Sequence, residues 1–288
     1  MFKHVLVPAT GYESDAAVFA TALLAAKPFG AHIEFLHAKV DVTEVVVAMS
    51  AGGVGGGGAV QGVVDKLEED AKDQEHKAWS GFTRFCEANN LPTSGGVPGS
   101  GLCADMLVET GDEGRWVAEH GRFADLVVLG RKREGQDVAM DVLEAALMDT
   151  GKPLLVAPAI APTSLLGTVV IAWQDTPEAA RAVAAALPLI DHAERVLILT
   201  VGDGDAPPDE SCQRLQRALR WHNANTSVKP LDRAGRPPVE VLLEAARELG
   251  ATLLVMGAYG HSRLREVVFG GFTQSILNGA DLPVLMAH

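Results

Sequence analysis

Short runs of Val, Leu and Ala alternate along this chain with longer stretches of helical periodicity, and the series is written twice. His4-Val-Leu-Val-Pro-Ala9 reads as a buried strand. It is followed by a loop over Thr10–Asp15, an alanine-rich helix from about Ala16 to Lys27, and a second strand near His32–Ala38. In the second half Thr168–Trp173 is the strand, Gln174–Pro177 the loop, Glu178–Leu189 the helix and Arg195–Val201 the next strand. Thr176 is placed to cap that helix, with Pro177 at its first position. The later segments repeat as well. A helix ending at Trp116–Gly121 leads into the strand Ala124–Gly130, as Val239–Gly250 leads into Ala251–Gly257. Each half then carries a further helix, about Asp141–Asp149 and Thr273–Asn278, and a last apolar strand opened by proline, Pro153–Ala157 and Pro283–Ala287.

Apolar runs of this length without polar alternation belong to strands covered on both faces, as in a parallel sheet between helix layers. The expected fold is α/β, with two tandem doubly wound parallel-sheet domains at residues 1–160 and 161–288. A short linker around Pro158–Gly167 joins them, stiffened by Pro158 and Pro162. The halves differ mainly by an insertion at residues 42–76, with a glycine tract, Gly52–Gly58, and a charged helical run, Asp65–His76. It reads as a solvated flap before a long amphipathic helix; a lid over a ligand or partner surface is the alternative.

Composition narrows the function classes. The 288 residues suit two ordinary domains, and 48% hydrophobic against 5% aromatic suits helices packed on a Val/Leu sheet. The net charge of −13 disfavours nucleic acid or an anionic membrane as a partner. Residues 1–160 carry −10 and residues 161–288 only −3, so a polyphosphate meets less repulsion in the second half. Cys86, Cys103 and Cys212 show no pair spacing, which fits a reducing compartment. The N-terminus enters a strand at once and no apolar run reaches the roughly 20 residues needed to span a bilayer, so a soluble cytoplasmic protein is expected.

The candidate chemistry lies after the strand Ala251–Gly257, where Gly257, Gly260, Gly270 and Gly271 punctuate a turn leading into a helix. A parallel strand ending in a glycine turn is where open α/β sheets hold phosphates on backbone N–H groups. The spacing Gly257-x2-Gly260-x9-Gly270 resembles the nucleotide signature of the universal stress protein family, and the doubled order of elements resembles a tandem member of it. The resemblance implies a Rossmann-like, adenine nucleotide alpha hydrolase-like fold. It also implies that Pro153–Ala157 and Pro283–Ala287 pair antiparallel across a pseudo-two-fold axis. In the family an Asp after the first strand holds the adenine; here Thr10 and Gln174 stand in its place. The first half also has Arg133 where the second glycine belongs, after Gly130-Arg131-Lys132, and so is read as degenerate for nucleotide. The expected nucleotide-binding residues are Gln174, Met256, Gly257, Gly260, His261, Arg263, Gly270, Gly271 and Thr273. The opposing reading is that these glycines serve only turn geometry and packing.

The nine histidines show no ligand-pair spacing, so no metal is expected, and neither a G-x-S-x-G elbow nor a Walker-type loop occurs. The chain is read as a non-enzymatic stress-response sensor or interaction module, with ATP or another adenine nucleotide as the candidate ligand. A small anion and an unidentified protein are the other partners considered, and a homodimer of the whole chain stays open. The alternatives are a slow ATPase or nucleotidyl-transfer enzyme, or a ligand-free scaffold.

Overall fold

The structure is a computed structural model that describes residues 1–288 apart from 52–56, 94–98, 100, 132–139, 205–208 and 259–270. Ten strands form one sheet: β1 (His4–Pro8), β2 (His32–Lys39), β3 (Cys103–Thr110), β4 (Leu126–Leu129), β5 (Leu154–Val156), β6 (Thr168–Ala172), β7 (Arg195–Gly202), β8 (Thr226–Asp232), β9 (Ala251–Gly257) and β10 (Val284–Ala287). Their order is β3-β2-β1-β4-β5-β10-β9-β6-β7-β8. The helices are α1 (Asp15–Ala26), α2 (Val42–Ala51), α3 (Gly57–Asn89), α4 (Glu113–Gly121), α5 (Met140–Glu144), α6 (Pro177–Ile190), α7 (Glu210–Leu219), α8 (Pro238–Glu248) and α9 (Gly271–Gly279). A π-helical turn, Ala145–Asp149, extends α5.

Every neighbouring pair of strands is parallel except β5 and β10, which run antiparallel with Val284 opposite Val156, Leu285 opposite Leu155 and Met286 opposite Leu154. The closing strands thus pair as the resemblance implied, and Leu155–Leu285 marks the pseudo-two-fold centre. Pairing removes two apolar edges that would otherwise invite association. The seam is reinforced on its flanks. Arg131 Nη2 donates to the Leu282 carbonyl at 2.7 Å, and Phe29 meets the His192 ring edge-on.

Strand alternation sorts the core into two layers that both run across the seam. On one face Val5, Val7, Leu155, Leu253, Val255 and Leu285 pack under α1, α3 and α6. On the other Leu6, Leu154, Leu254, Met256, Val284 and Met286 pack under α4, α5, α8 and α9. The central strands are buried on both faces, which is why their sequences are unbroken apolar runs. Helix starts follow local chemistry. Asp112, Thr176 and Asp209 each accept from the backbone N–H three residues on, and Pro177 opens α6.

Four elements were missing from the sequence reading: α2, β3, β8 and α7. The two strands are the outer edges of the sheet and carry polar residues, including Lys229 and Pro230 in β8. The insertion holds α2 and the first part of α3, a 33-residue helix against ten residues for its counterpart α7, while residues 52–56 of the glycine tract lie outside the described residues. In the basic loop after β4, Arg131 is partly buried and tied to the second half, and its guanidinium is brought down to about 10 by burial. Lys132 and Arg133 lie outside the described residues.

Candidate functional site

In the second half β7 and β8 lie to one side of β6 while β9 and β10 lie to the other, so the chain reverses its winding between β6 and β9. The crevice outside the carboxyl ends of strands at such a point is where open α/β sheets bind ligands. Two stretches singled out in the sequence meet there. Ala172 pairs with Met256 at the ends of β6 and β9, so the loop holding Gln174 leaves the sheet beside Gly257. Gln174 is exposed and Met256 is buried below it, in the face packed under α8 and α9.

Gly257 has a packing role of its own. A Cβ there would lie 2.5 Å from the Ala179 amide nitrogen and 2.7 Å from the Glu178 carbonyl carbon, so the first turn of α6 rests against its Cα. Thr176 Oγ1 accepts from the Ala179 N–H at 3.2 Å and fixes that turn. Gly271 opens α9 with clear space around its Cα, while Thr273 is buried within the first turn. Gly260, His261, Arg263 and Gly270 lie outside the described residues. Trp173, at the end of β6, packs on the core, and its Nε1–H donates to Ser211 Oγ at 3.0 Å, joining β6 to the start of α7.

The equivalent point in the first half, between β1 and β4, is built differently. Thr10 stands where the family's carboxylate would be, yet a carboxylate reaches the loop from five residues on. Asp15, buried at the start of α1, accepts from Thr10 Oγ1 at 2.6 Å and from the Gly11 N–H at 2.7 Å. Burial pushes its carboxyl above the usual range, and those two donors partly offset the rise. The long insertion helix lies across the same loop. Gln74 Nε2 donates to the Thr10 carbonyl at 2.7 Å, and a Cβ on Gly11, which has φ +78°, would meet the Gln74 carbonyl oxygen at 2.7 Å. Glu113, at the start of α4, is pushed up to about 7 by burial and by the charges of Asp15, Asp141 and Asp112. The loop carrying the first half's ligand position is therefore closed by its own acids and by α3. Sequence reading missed Asp15 because it looked for the carboxylate beside the glycine.

Comparison with known proteins agrees with this geometry. Residues 166–288 match the model of the Universal stress protein family. They are a universal stress protein domain. A universal stress protein of Synechocystis sp. is 30% identical over 182 residues, 56% of this chain and 57% of the relative, so the chain spans little more than half that relative's length in the match. Among solved structures, a universal stress protein from Archaeoglobus fulgidus superposes over 99% of this chain and 97% of its own, with TM-score 0.68 and 15% identity. A functionally unknown protein from Pseudomonas aeruginosa covers 99% and 92%, with TM-score 0.61 and 13% identity. These likenesses show that the fold of the universal stress domain extends over the whole chain, in both halves. No helix among the described residues is long and apolar enough to cross a membrane.

A cavity of about 880 Å³ lies elsewhere, beside the edge strand β3, lined by His32, Glu34, Trp79, Phe82, Cys86 and Asp105 among others.

Proposed function

We propose that this chain is a non-catalytic, cytoplasmic stress-response sensor or interaction module made of two tandem units, 1–160 and 161–288, and that the second unit holds an adenine nucleotide. The observation that carries the reading is the meeting of the Gln174 loop with Gly257 at the chain-reversal point between β6 and β9. Gln174, exposed, offers donor and acceptor groups to a base where the family uses a carboxylate. In this reading Met256 floors the crevice and Gly257, Gly271 and Thr273 belong to its phosphate side, with Gly260 and Gly270 assigned there from the sequence motif alone. α9 begins at Gly271, and a helix start of this kind offers N–H donors to an anion; in this reading His261 and Arg263 add positive charge in the less acidic half. The first unit takes no nucleotide in this reading, since Asp15 and α3 already close its loop.

Calorimetric titration of the full chain with ATP tests this. Saturable weak binding is expected, lost in Gly260→Val, where a bulky Cβ substituent fills the phosphate approach, and strengthened in Gln174→Asp. The reading fails if the wild type gives only heat of dilution, or if Gly260→Val binds equally. Steady release of phosphate from ATP would instead favour the enzyme alternative.

A further inference from the structure

At the amino-terminal ends of β1 and β2, strand register brings His4 beside His32 and Glu34. His4 on β1 pairs with His32 on β2, and Leu6 pairs with Glu34, so His4, His32 and Glu34 share one face of two adjacent parallel strands. One ligand atom from each lies within 4.8 Å of the others. His4 Nε2 stands 3.5 Å from Glu34 Oε2, and it is buried without a hydrogen-bond partner. A buried imidazole nitrogen aimed at a second imidazole and a carboxylate needs a cation, either a proton or a metal.

The surroundings orient all three groups as the outer partners of a metal centre do. The Lys3 and His4 backbone N–H groups donate to Asp125 Oδ2, at 2.7 and 3.1 Å, which fixes the start of β1. His4 Nδ1 faces the Phe123 carbonyl at 3.4 Å; a proton carried on Nδ1 would donate to that carbonyl and leave the Nε2 lone pair for a metal. His32 Nδ1 lies 3.2 Å from Cys103 Sγ. The other Glu34 oxygen, Oε1, is 3.2 Å from His120 Nδ1, and His120 Nε2 is 3.4 Å from Glu109 Oε1. His32 and Glu34 also line the 880 Å³ cavity beside β3, which leaves a side from which an ion and its water can enter.

We infer that His4, His32 and Glu34 form a binding site for one divalent transition-metal ion of the zinc type, open to the cavity at a fourth position. Two neutral imidazoles and a carboxylate suit zinc among borderline metals, with bonds of about 2.0–2.2 Å. A tetrahedral ion at those lengths sets its ligand atoms about 3.4 Å apart, so His4 and Glu34 already stand at the required spacing and His32 must close in. The site lies on β1 and β2 of the first half, separated from the nucleotide crevice between β6 and β9 by the strands β4, β5 and β10. By tying β1 to β2, the ion would brace the amino-terminal ends of these two strands.

The test uses the full chain stripped with a chelator, then titrated with Zn²⁺ by calorimetry and with Co²⁺ by visible absorption. One ion per chain is expected, with a cobalt spectrum of nitrogen and oxygen ligation. His32→Gln and Glu34→Gln should each weaken binding more than 100-fold, and His120→Gln, which removes a positioning residue, by about 10–100-fold. Circular dichroism of each variant separates lost ligation from lost fold. If His32→Gln does not fold, the wild-type cobalt spectrum decides, since a thiolate charge-transfer band would put Cys103 in the ligand set and overturn this one. Absence of stoichiometric binding at micromolar free zinc, or unchanged affinity in folded His32→Gln and Glu34→Gln, would overturn the site altogether.

Discussion

Glu113 is a carboxyl held in the wrong medium. Burial, followed by the charges of Asp15, Asp141 and Asp112, lifts it to about 7 from an ordinary 4.5. Because the folded value is raised, the unfolded chain ionises first as pH increases. Glu113 therefore leaves stability untouched below about pH 4.5, and its destabilising effect grows to completion near pH 7. Glu113→Gln should raise the unfolding free energy by roughly 1–2 kcal/mol at pH 8, a figure lowered for partial solvent screening, and change little at pH 4. Urea unfolding at the two pH values measures it, and an equal gain at both would show that packing, not charge, is responsible. Residues of this kind were the least legible in the sequence. Glu113 meets Asp15 only through two helix starts, and His4 meets His32 and Glu34 only through strand register. Gly257 was legible as a glycine that must be small, but the neighbour it makes room for is the first turn of α6 as well as any ligand.

At the scale of elements, the closing strands carry the largest consequence per residue. Leu285 is fully buried opposite Leu155, and its side chain lies in the face under α1, α3 and α6. Leu285→Ala should cost about 2–5 kcal/mol, the range for a buried leucine whose site cannot collapse. The same truncation at Leu107, exposed on the edge strand β3, should cost well under 1 kcal/mol, as surface substitutions do. Denaturant midpoints of the two variants give the comparison, and similar losses would mean that the seam is loosely packed. The contrast also explains what could be read in advance. Central strands must be apolar on both faces, so β1, β4, β5, β6, β9 and β10 announce themselves as runs of Val and Leu. Edge strands such as β3 and β8 keep a solvated side and carry Asp105, Glu109, Lys229 and Asp232, which hides them among loops. Helix α7 is short and charged, and was lost for the same reason.

The whole molecule joins two similar halves through one sheet, and that joint sets how it should unfold. Both apolar faces run unbroken from Val5 to Leu285 and from Leu6 to Met286, and the seam strands are buried over their full length. Separating the halves would expose Leu154–Val156 and Val284–Met286 together, along with backbone groups now paired across the seam. Neither half can melt without opening the core of the other, so unfolding should be a single cooperative transition despite the chain's length. The tryptophans allow this to be measured. Trp116 stands on α4 in the first half and Trp173 follows β6 in the second, both partly buried, whereas Trp79 and Trp221 are exposed and can be replaced by Phe. Two variants, one retaining Trp116 alone and the other Trp173 alone, should show the same denaturant midpoint by fluorescence, coincident with the loss of helical circular dichroism. Separate midpoints would show that each half keeps its own core when the antiparallel pairing of β5 with β10 is lost. The pairing would then be a contact between independent units, and the more acidic first half, at −10 against −3, would be the one expected to yield first at low salt.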